Sequence, residues 1–507
     1  MSFLAPVSFR AKRGISLLAP LALAACATLP PEIPEAADCR ANYLGLDDRI
    51  HAADVRNGGA RAIPGFPYLR SDRFLASFRD EAADGAALDA WVERLRQLDL
   101  QARKTELRNL GWSDPAEELG HLDRCGREWA QRDLQDAQRR AQLRDAAAVP
   151  DDYSLLKRAL GLYPLAVPFL NLGIHGFNKE VRADYARPVE ALDAAGPLVL
   201  WHAAVAGAPL RRDEPGAVGA PLRRDEPGTV GAPLRRDELG IPFLNSEQWH
   251  ALARAHAPTW QVETTGDYDK PGAVVLREGA PTVDVARPVT YFLPAFTRFG
   301  DKVLAQLVYV VWFSERPKQG SIDSYAGALD GVVWRVTLDT DGQPLLYDTI
   351  HACGCYHYYF MAKPLTRRPQ GGFWDEPVLF PQDAPAEPFA VRVQARTHYV
   401  RRLVPLVGAP PRRDSLDAAE SHTYSLTDYA ELLSLPDGKG GTRSLFCEDG
   451  LVCGTERFER FWLWPAGIKS PGAMRQWGRH ATSFVGRSHF DAPSMMDRLF
   501  EAPPPVR

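Results

Sequence analysis

Two stretches decide the fold: VLAQLVYVVWF at 303–313 and VVWRVTLDTDGQPLL at 332–346. The first is apolar except for Gln306 and rich in β-branched and aromatic residues, so it reads as a largely buried strand. Eleven residues are too few to cross a bilayer, which takes roughly 20. In the second stretch, a strand pattern over 332–338 meets Asp339-Thr340-Asp341-Gly342, and apolar residues resume at Leu345. That order is a hairpin signal, because a tight turn recruits residues that tolerate positive φ. Outward from these stretches, the chain from Thr259 onward is made of short Val, Tyr, Phe, Thr and Trp runs broken by Gly, Pro and Asp. Residues 390–400 and 458–464 are further strand candidates, and a short helix is expected around 493–500.

Toward the N-terminus the period changes. Between Ser71 and Arg144, apolar residues recur at helical spacing, as in Leu88, Trp91, Leu95 and Leu98, amid many Ala, Arg, Glu and Gln. Two or three amphipathic helices follow from this, with a second helical portion after Asp151. Asn245 and Gln248 have capping-box spacing for a helix that stops before Pro258. The expected class is α+β, an N-terminal helical region (39–258) followed by a β-rich, mainly antiparallel domain (259–470) and a C-terminal segment (471–507).

A tandem repeat interrupts the helical region. GAPLRRDEPG begins at Gly207 and again at Gly219, and a third copy from Gly231 has Leu239 in place of the proline. A shortened relative starts at Gly408. With much Pro, Gly and charge and almost nothing to bury, the insert at 207–238 is expected to be a solvated loop. The Arg pairs invite a phosphate-site reading, but each is followed by Asp and usually Glu, leaving every copy nearly neutral. An in-frame genomic insertion is preferred.

The first residues carry Arg10, Lys12 and Arg13, then an apolar run over 15–23, then Leu23-Ala24-Ala25-Cys26. This order of charge, apolar run and small residues before a cysteine resembles the lipobox of bacterial lipoproteins. The resemblance implies that residues 1–25 are a cleaved signal and that Cys26 is acylated and holds the protein to a membrane. Residues 26–38, with Pro30, Pro31 and Pro34, would then be an extended tether. Ala27, where an Asp is absent, resembles outer-membrane sorting, with the body facing the periplasm. The competing reading is an ordinary signal peptide or buried helix with an incidental cysteine. No later run is long enough to span, since 160–177 is broken by Pro164 and Pro168. With 45% hydrophobic and 24% charged residues the composition is ordinary for a globular body, and a net charge of -4 offers nothing to a nucleic acid.

If Cys26 is acylated, six cysteines remain, an even set that suits an oxidising compartment but allows 15 connectivities. Proximity favours Cys447 with Cys453. Cys39 with Cys125 would close a far longer loop, for which chain entropy gives roughly 4 to 5 kcal/mol.

The densest chemistry is His351-Ala352-Cys353-Gly354-Cys355-Tyr356-His357. All four ligand-type residues are odd-numbered, so a continuous strand would show them on one face. His351, Cys353, Cys355 and His357 suit zinc or copper, although one strand rarely wraps four ligands around an ion. A redox-active or strained Cys353/Cys355 disulfide competes with that reading, as does plain packing among the neighbouring tyrosines. A second group holds His480, His489 and Asp491, where the histidine or carboxylate would complete a metal shell or move a proton, or Asp491 would cap a helix. Gly266-Asp267-Tyr268-Asp269 resembles a calcium-loop fragment but reads better as a polar turn. Nucleophile-elbow, zincin, phosphate-loop and dinucleotide signatures are missing from the sequence. The expected function is that of an envelope binding or maintenance protein without established catalysis, the alternative being a metal-dependent enzyme or a metal-binding or redox protein at 351–357.

Overall fold

The computed structural model describes residues 39–204, 235–370, 372, 374–406 and 420–502. The lipobox with Cys26, the repeat up to residue 234 and the segment from Gly408 lie outside the described residues.

The N-terminal region is helical, as its periodicity demands. Helices α1 (Cys39–Ala52), α2 (Arg73–Ala76), α3 (Gly85–Asn109), α4 (Ala116–Gln135) and α5 (Ala137–Ala146) surround a hairpin of β1 (Arg61–Ile63) and β2 (Phe66–Ser71). Along α3, Leu88, Trp91, Val92 and Leu95 are buried and share one core with Tyr43, Tyr68 and Leu122. Asp72 caps α2 by accepting from the Leu75 amide at 2.7 Å. A disulfide joins Cys39, the first residue of α1, to Cys125 in α4, with Cα atoms 5.4 Å apart. The hairpin was hidden from the helical reading by its brevity.

Helices α6 (Leu155–Leu160) and α7 (Tyr163–Ala186) lead to strand β3 (Leu198–Ala203), and α8 (Ser246–Ala255) precedes β4 (Thr259–Glu263). The capping box of α8 is present, Asn245 and Gln248 each accepting from the other's backbone amide at 2.9 Å. After a hairpin of β5 (Ala273–Arg277) and β6 (Ala280–Asp284) come β7 (Val289–Phe299), β8 (Lys302–Arg316), β9 (Gly327–Leu338), β10 (Pro344–His351) and β11 (Tyr358–Met361). Strands β12 (Phe389–Val393), β13 (Val400–Pro405) and β14 (Ser421–Asp428) follow, then short helices α9 (Arg460–Leu463) and α10 (Met495–Leu499).

Ten strands form one sheet in the order β11-β10-β9-β8-β7-β14-β3-β4-β12-β13. Its centre is the run that opened the sequence reading: β8 pairs antiparallel with β7 and β9 and is buried along nearly all its length. The Asp339 turn joins β9 to β10, with Asp339 N donating to Gln343 O at 2.8 Å and Gly342 at φ +74°. Six of the nine neighbouring pairs are antiparallel. The other three, β14 with β7, β14 with β3 and β12 with β4, are parallel, so the sheet is mixed.

Two expectations are corrected here. β3 comes from the region read as helical, because Val199 and Trp201 alternate into the core over only six residues. The aromatic run 458–464, expected as a strand, is α9 and a following 3-10 turn at Trp464–Ala466. Four of its rings are exposed rather than packed on a sheet.

The sheet curls until its ends meet. Tyr347 of β10 and Phe389 of β12, far apart in strand order, have rings 5.2 Å apart, and Trp334 packs against both. Residues 379–384 fill the seam: Tyr359 N donates to Leu379 O at 3.0 Å on the β11 side. On the β13 side Gln382 exchanges hydrogen bonds with Leu403 at 3.0 and 3.2 Å. The end of the third repeat also packs. Asp237 pairs with Arg94 of α3 at 2.7 Å, and Arg236 donates to Val303 O at 2.7 Å. Asp237 also accepts from the amides of Leu239 and Ile241. The solvated-loop reading therefore fails for 235–238.

Candidate functional site

The heptapeptide 351–357 is a turn, not a strand. β10 ends at His351 and β11 begins at Tyr358, with Gly354 at φ +96° and Tyr356 at φ +64° between them. A Cβ on Gly354 would sit 2.4 Å from Ala481 O, so glycine is required there twice over. His351 and His357 consequently do not share a strand face and meet different neighbours. The His357 Nε2 meets Asp348 at 2.8 Å and its Nδ1 meets the Tyr359 hydroxyl at 3.1 Å. Arg335 grips the same Asp348 with two bonds of 2.9 and 2.6 Å, and its guanidinium lies 3.8 Å over the Phe490 ring. Both nitrogens of His357 are thus committed within a buried polar triad.

His351 belongs to a different cluster, called the chamber below for its aromatic walls, built where the two ends of the curled sheet converge. Its Nε2 is 3.1 Å from His398 O, and its Nδ1 is 3.7 Å from Asp330. Burial disfavours its imidazolium and takes its pKa down to about 4, against the opposing pull of Asp330. His398, on the 394–399 loop between β12 and β13, is fully buried and stacked parallel on Phe313 at 4.0 Å. Its Nδ1 is 2.9 Å from Asp330, and its Nε2 is 3.4 Å from Asp269, too poorly aligned for a hydrogen bond. Burial alone would lower the His398 pKa, but the two flanking carboxylates outweigh it and hold it above the ordinary histidine value. Asp330 is conversely held below the usual carboxylate range by His351, His398 and Arg316 despite its burial.

Arg316, at the end of β8, is the chamber's cation. It donates to the Tyr399 hydroxyl at 3.1 Å and lies 5.3 Å and 5.2 Å over the rings of Tyr325 and Tyr399. Its buried Nε has no hydrogen-bond partner, and among the described residues no carboxylate stands within ion-pair distance of it. Tyr356 and Tyr399 are 4.5 Å apart, and Phe177 of α7 roofs both at 5.1 and 5.9 Å. Glu459 stands nearby, pushed up to about 7 by burial although Arg316 and Arg457 pull it back. Of eight described non-glycine residues with positive φ, three (Tyr356, Arg396 and His398) lie in the chamber's loops and a fourth, Leu329, stands in β9 beside Asp330. Such strain persists only where the surroundings over-determine it, and it gathers at functional sites.

Cys353 and Cys355 are not bridged to each other. The thiol of Cys355 is pushed well above its ordinary value, first by its hydrogen bond with Cys353 and then by burial. Arg475 donates to Cys353 O at 3.0 Å. Among the described residues, no group of three or more His, Cys, Asp or Glu is arranged to hold an ion. The second sequence candidate group is drawn together around Arg73, which pairs with both Asp491 and Asp152, rather than around an ion. His480 is buried with neither ring nitrogen partnered, and burial lowers its pKa to about 3. His489 lies 3.4 and 3.5 Å from Asp151 and Asp152. Asp491 caps no helix: it pairs with Arg73 at 3.1 Å, and Ser494 holds the N-cap position of α10.

Sequence reasoning found His351, Cys353 and Cys355 but missed Asp269, Arg316, Asp330, His398 and Tyr399. Asp330, a charge leading into the apolar run that follows in β9, was the available signal. Asp269 had been seen only as part of a polar turn, which it is, accepting from Thr265 and Arg396 amides. No family model, no curated protein and no solved structure matches the chain.

Proposed function

We propose that this chain is a lipoprotein of the bacterial cell envelope, anchored through Cys26 in the outer membrane and facing the periplasm, whose body binds a small ligand bearing an acidic group. The carrying observation is Arg316: a guanidinium taken out of water is costly unless paired, yet its Nε is open, its hydrogen bond goes to the Tyr399 hydroxyl, and Asp330 and Glu459 act on it only through space. A carboxylate or phosphate would supply the fork-shaped pairing that this cation lacks. The strained loops carrying Tyr356 and His398 hold the aromatic walls in place for such a ligand. Thermal shifts with a panel of small carboxylates and phosphates test this. At about 100 times Kd a true ligand adds about 2.7 kcal/mol of stability. The expected result is a saturable shift in the wild type that is lost in Arg316→Met; equal shifts in both, or none across the panel, overturn it. Cys26→Ser should abolish acylation, and unlabelled wild type after growth in radiolabelled palmitate overturns the anchor.

A second reading has its own observation. The two thiols of the 353–355 turn are free and influence one another, and residues two apart form only a strained, oxidising bridge. Alkylation of the folded protein poised at graded glutathione potentials should reveal loss of both thiols together. Thiols unchanged at every potential exclude this reading.

A further inference from the structure

The chamber is roofed by a helix whose other face is apolar and open. Along α7, Leu165, Phe169 and Leu172 are 67%, 77% and 74% exposed, at spacings that put them on one side. Val167, Asn178 and Tyr185 of the same helix are buried against the body, so α7 lies along the molecule with a second apolar face outward. Leu156 and Leu160 of α6 extend that face. Ser154 and Arg158 fasten α6 to the adjacent turn, through Gly467 O at 2.9 Å and Ala466 O at 2.8 Å. That turn brings Phe458, Phe461, Trp462 and Trp464, exposed by 38% to 58%. At the ~150–250 Å² of a large aromatic side chain, the nine residues leave on the order of 1,000 Å² open. A monomer ordinarily leaves a largest patch of roughly 300–600 Å².

We propose that this face docks on an anionic bilayer surface. Charge selects that occupant. Residues 154–179 contain no Asp or Glu, and the only acidic residue of 458–470, Glu459, is buried; the exposed Glu180 and Glu456 stand at the margins of the two segments. The charged side chains that reach solvent from these two segments are Lys157, Lys179, Arg460 and Lys469, all cationic, although Lys469 also pairs with Asp449 at 2.7 Å. Tryptophan and phenylalanine beside leucine, rimmed by cations, is the composition of a helix lying in a headgroup layer. The length of chain ahead of the body agrees: twelve residues separate Cys26 from Cys39, a reach of at most about 40 Å. A body so tethered stays at the surface its apolar face needs. The proposal rests on the lipoprotein reading for the presence of that bilayer, while the docking itself is a property of the body.

The test therefore uses the full chain carrying Cys26→Ser, without lipid, mixed with vesicles of phosphatidylcholine alone or with phosphatidylglycerol added. Co-flotation should be at least roughly tenfold greater with phosphatidylglycerol and should fall with salt. Leu165→Asp/Phe169→Asp, and independently Phe461→Ser/Trp462→Ser, should each lower it by about tenfold or more while keeping the far-ultraviolet circular dichroism of the parent. Absence of flotation, or flotation unchanged in both variants, overturns the proposal. A concentration-dependent dimer abolished by the same variants, without flotation, overturns it in favour of a second copy of the chain. Failure of the anchor shows separately, as unlabelled wild type in the palmitate experiment.

Discussion

The helical region and the sheet end each bury a cluster of charges, and they satisfy them differently. Beneath α3, Arg70 meets Glu106 with two bonds of 2.7 Å and Asp99 at 3.1 Å. Arg103 meets the same Asp99 at 2.8 Å, while Asn57 N completes Glu106 at 2.8 Å. One nitrogen is left over, Nη1 of Arg103, whose guanidinium covers the Tyr43 ring at 4.8 Å. No residue of this cluster adopts a left-handed backbone. In the chamber, by contrast, Arg316 lacks an ionic partner, His398 lacks an aligned one at Nε2, and the loops are strained. A closed network is complete as it stands and acts as a brace between elements. An open one keeps capacity for something else, and that difference, rather than burial or charge, separates a structural cluster from a candidate site.

Removing one member from each cluster should produce the largest difference between them. Glu106→Gln leaves Arg70 buried without its bidentate partner and should cost about 3–5 kcal/mol in urea unfolding. Arg316→Met, which removes a buried cation that has no carboxylate in direct contact and leaves Asp330 its two histidines, should cost no more than about 1 kcal/mol. Equal losses would mean that the two clusters do the same work.

The histidines of the chamber sharpen it further. His351 has its folded pKa lowered to about 4, so between about pH 6.5 and that value the unfolded chain takes up a proton that the folded chain refuses. Its contribution to stability therefore falls on acidification through this window. His398 has its folded pKa raised, so its contribution is fully present below about pH 6.5 and is lost as pH rises through the folded value. The destabilisation caused by His398→Gln should then shrink toward alkaline pH, and that caused by His351→Gln toward acid. Unfolding curves of the three proteins across this range check it; parallel pH dependence for both variants would refute the opposed assignments.

The smallest effect concerns where the repeat stops being an insert. Removing residues 207–234 should shift stability by less than about 1 kcal/mol, since closure entropy changes only logarithmically with loop length. Extending the deletion through Glu238 removes Arg236 and Asp237 with their bonds to Val303 and Arg94. That should cost about 1–3 kcal/mol more. Identical melting temperatures for the two deletions would return 235–238 to the solvated loop.

The elements legible beforehand were those with a long, clean period: α3 through Leu88, Trp91 and Leu95, β8 through its apolar run, and the Asp339 hairpin through its turn residues. Both disulfides are the pairs that proximity and order had suggested among the 15 connectivities, Cys447–Cys453 and Cys39–Cys125. β3 was not legible because six residues carry too little period to outweigh their helical neighbourhood. The chamber was invisible for a different reason. Asp269, Arg316, Asp330 and His398 lie in separate segments and meet only because the sheet curls, a three-dimensional event with no local signal. The 351–357 motif was noticed, yet its geometry was misread because Gly354 ends the strand that the odd-number argument required.

Parallel pairing at the middle of the sheet has a consequence for how the chain is made. β3 at 198–203 lies between β4, which follows it closely, and β14 at 421–428. On a chain that emerges N-terminus first, one edge of β3 waits, apolar on alternate residues, while the whole β7 to β13 portion is synthesised. β7 waits for the same strand on its other side. Closure is therefore a late event in biogenesis, slow by topology and exposed to misassembly until the last strand arrives. Truncation between β7 and β14 leaves two open edges rather than a shorter protein.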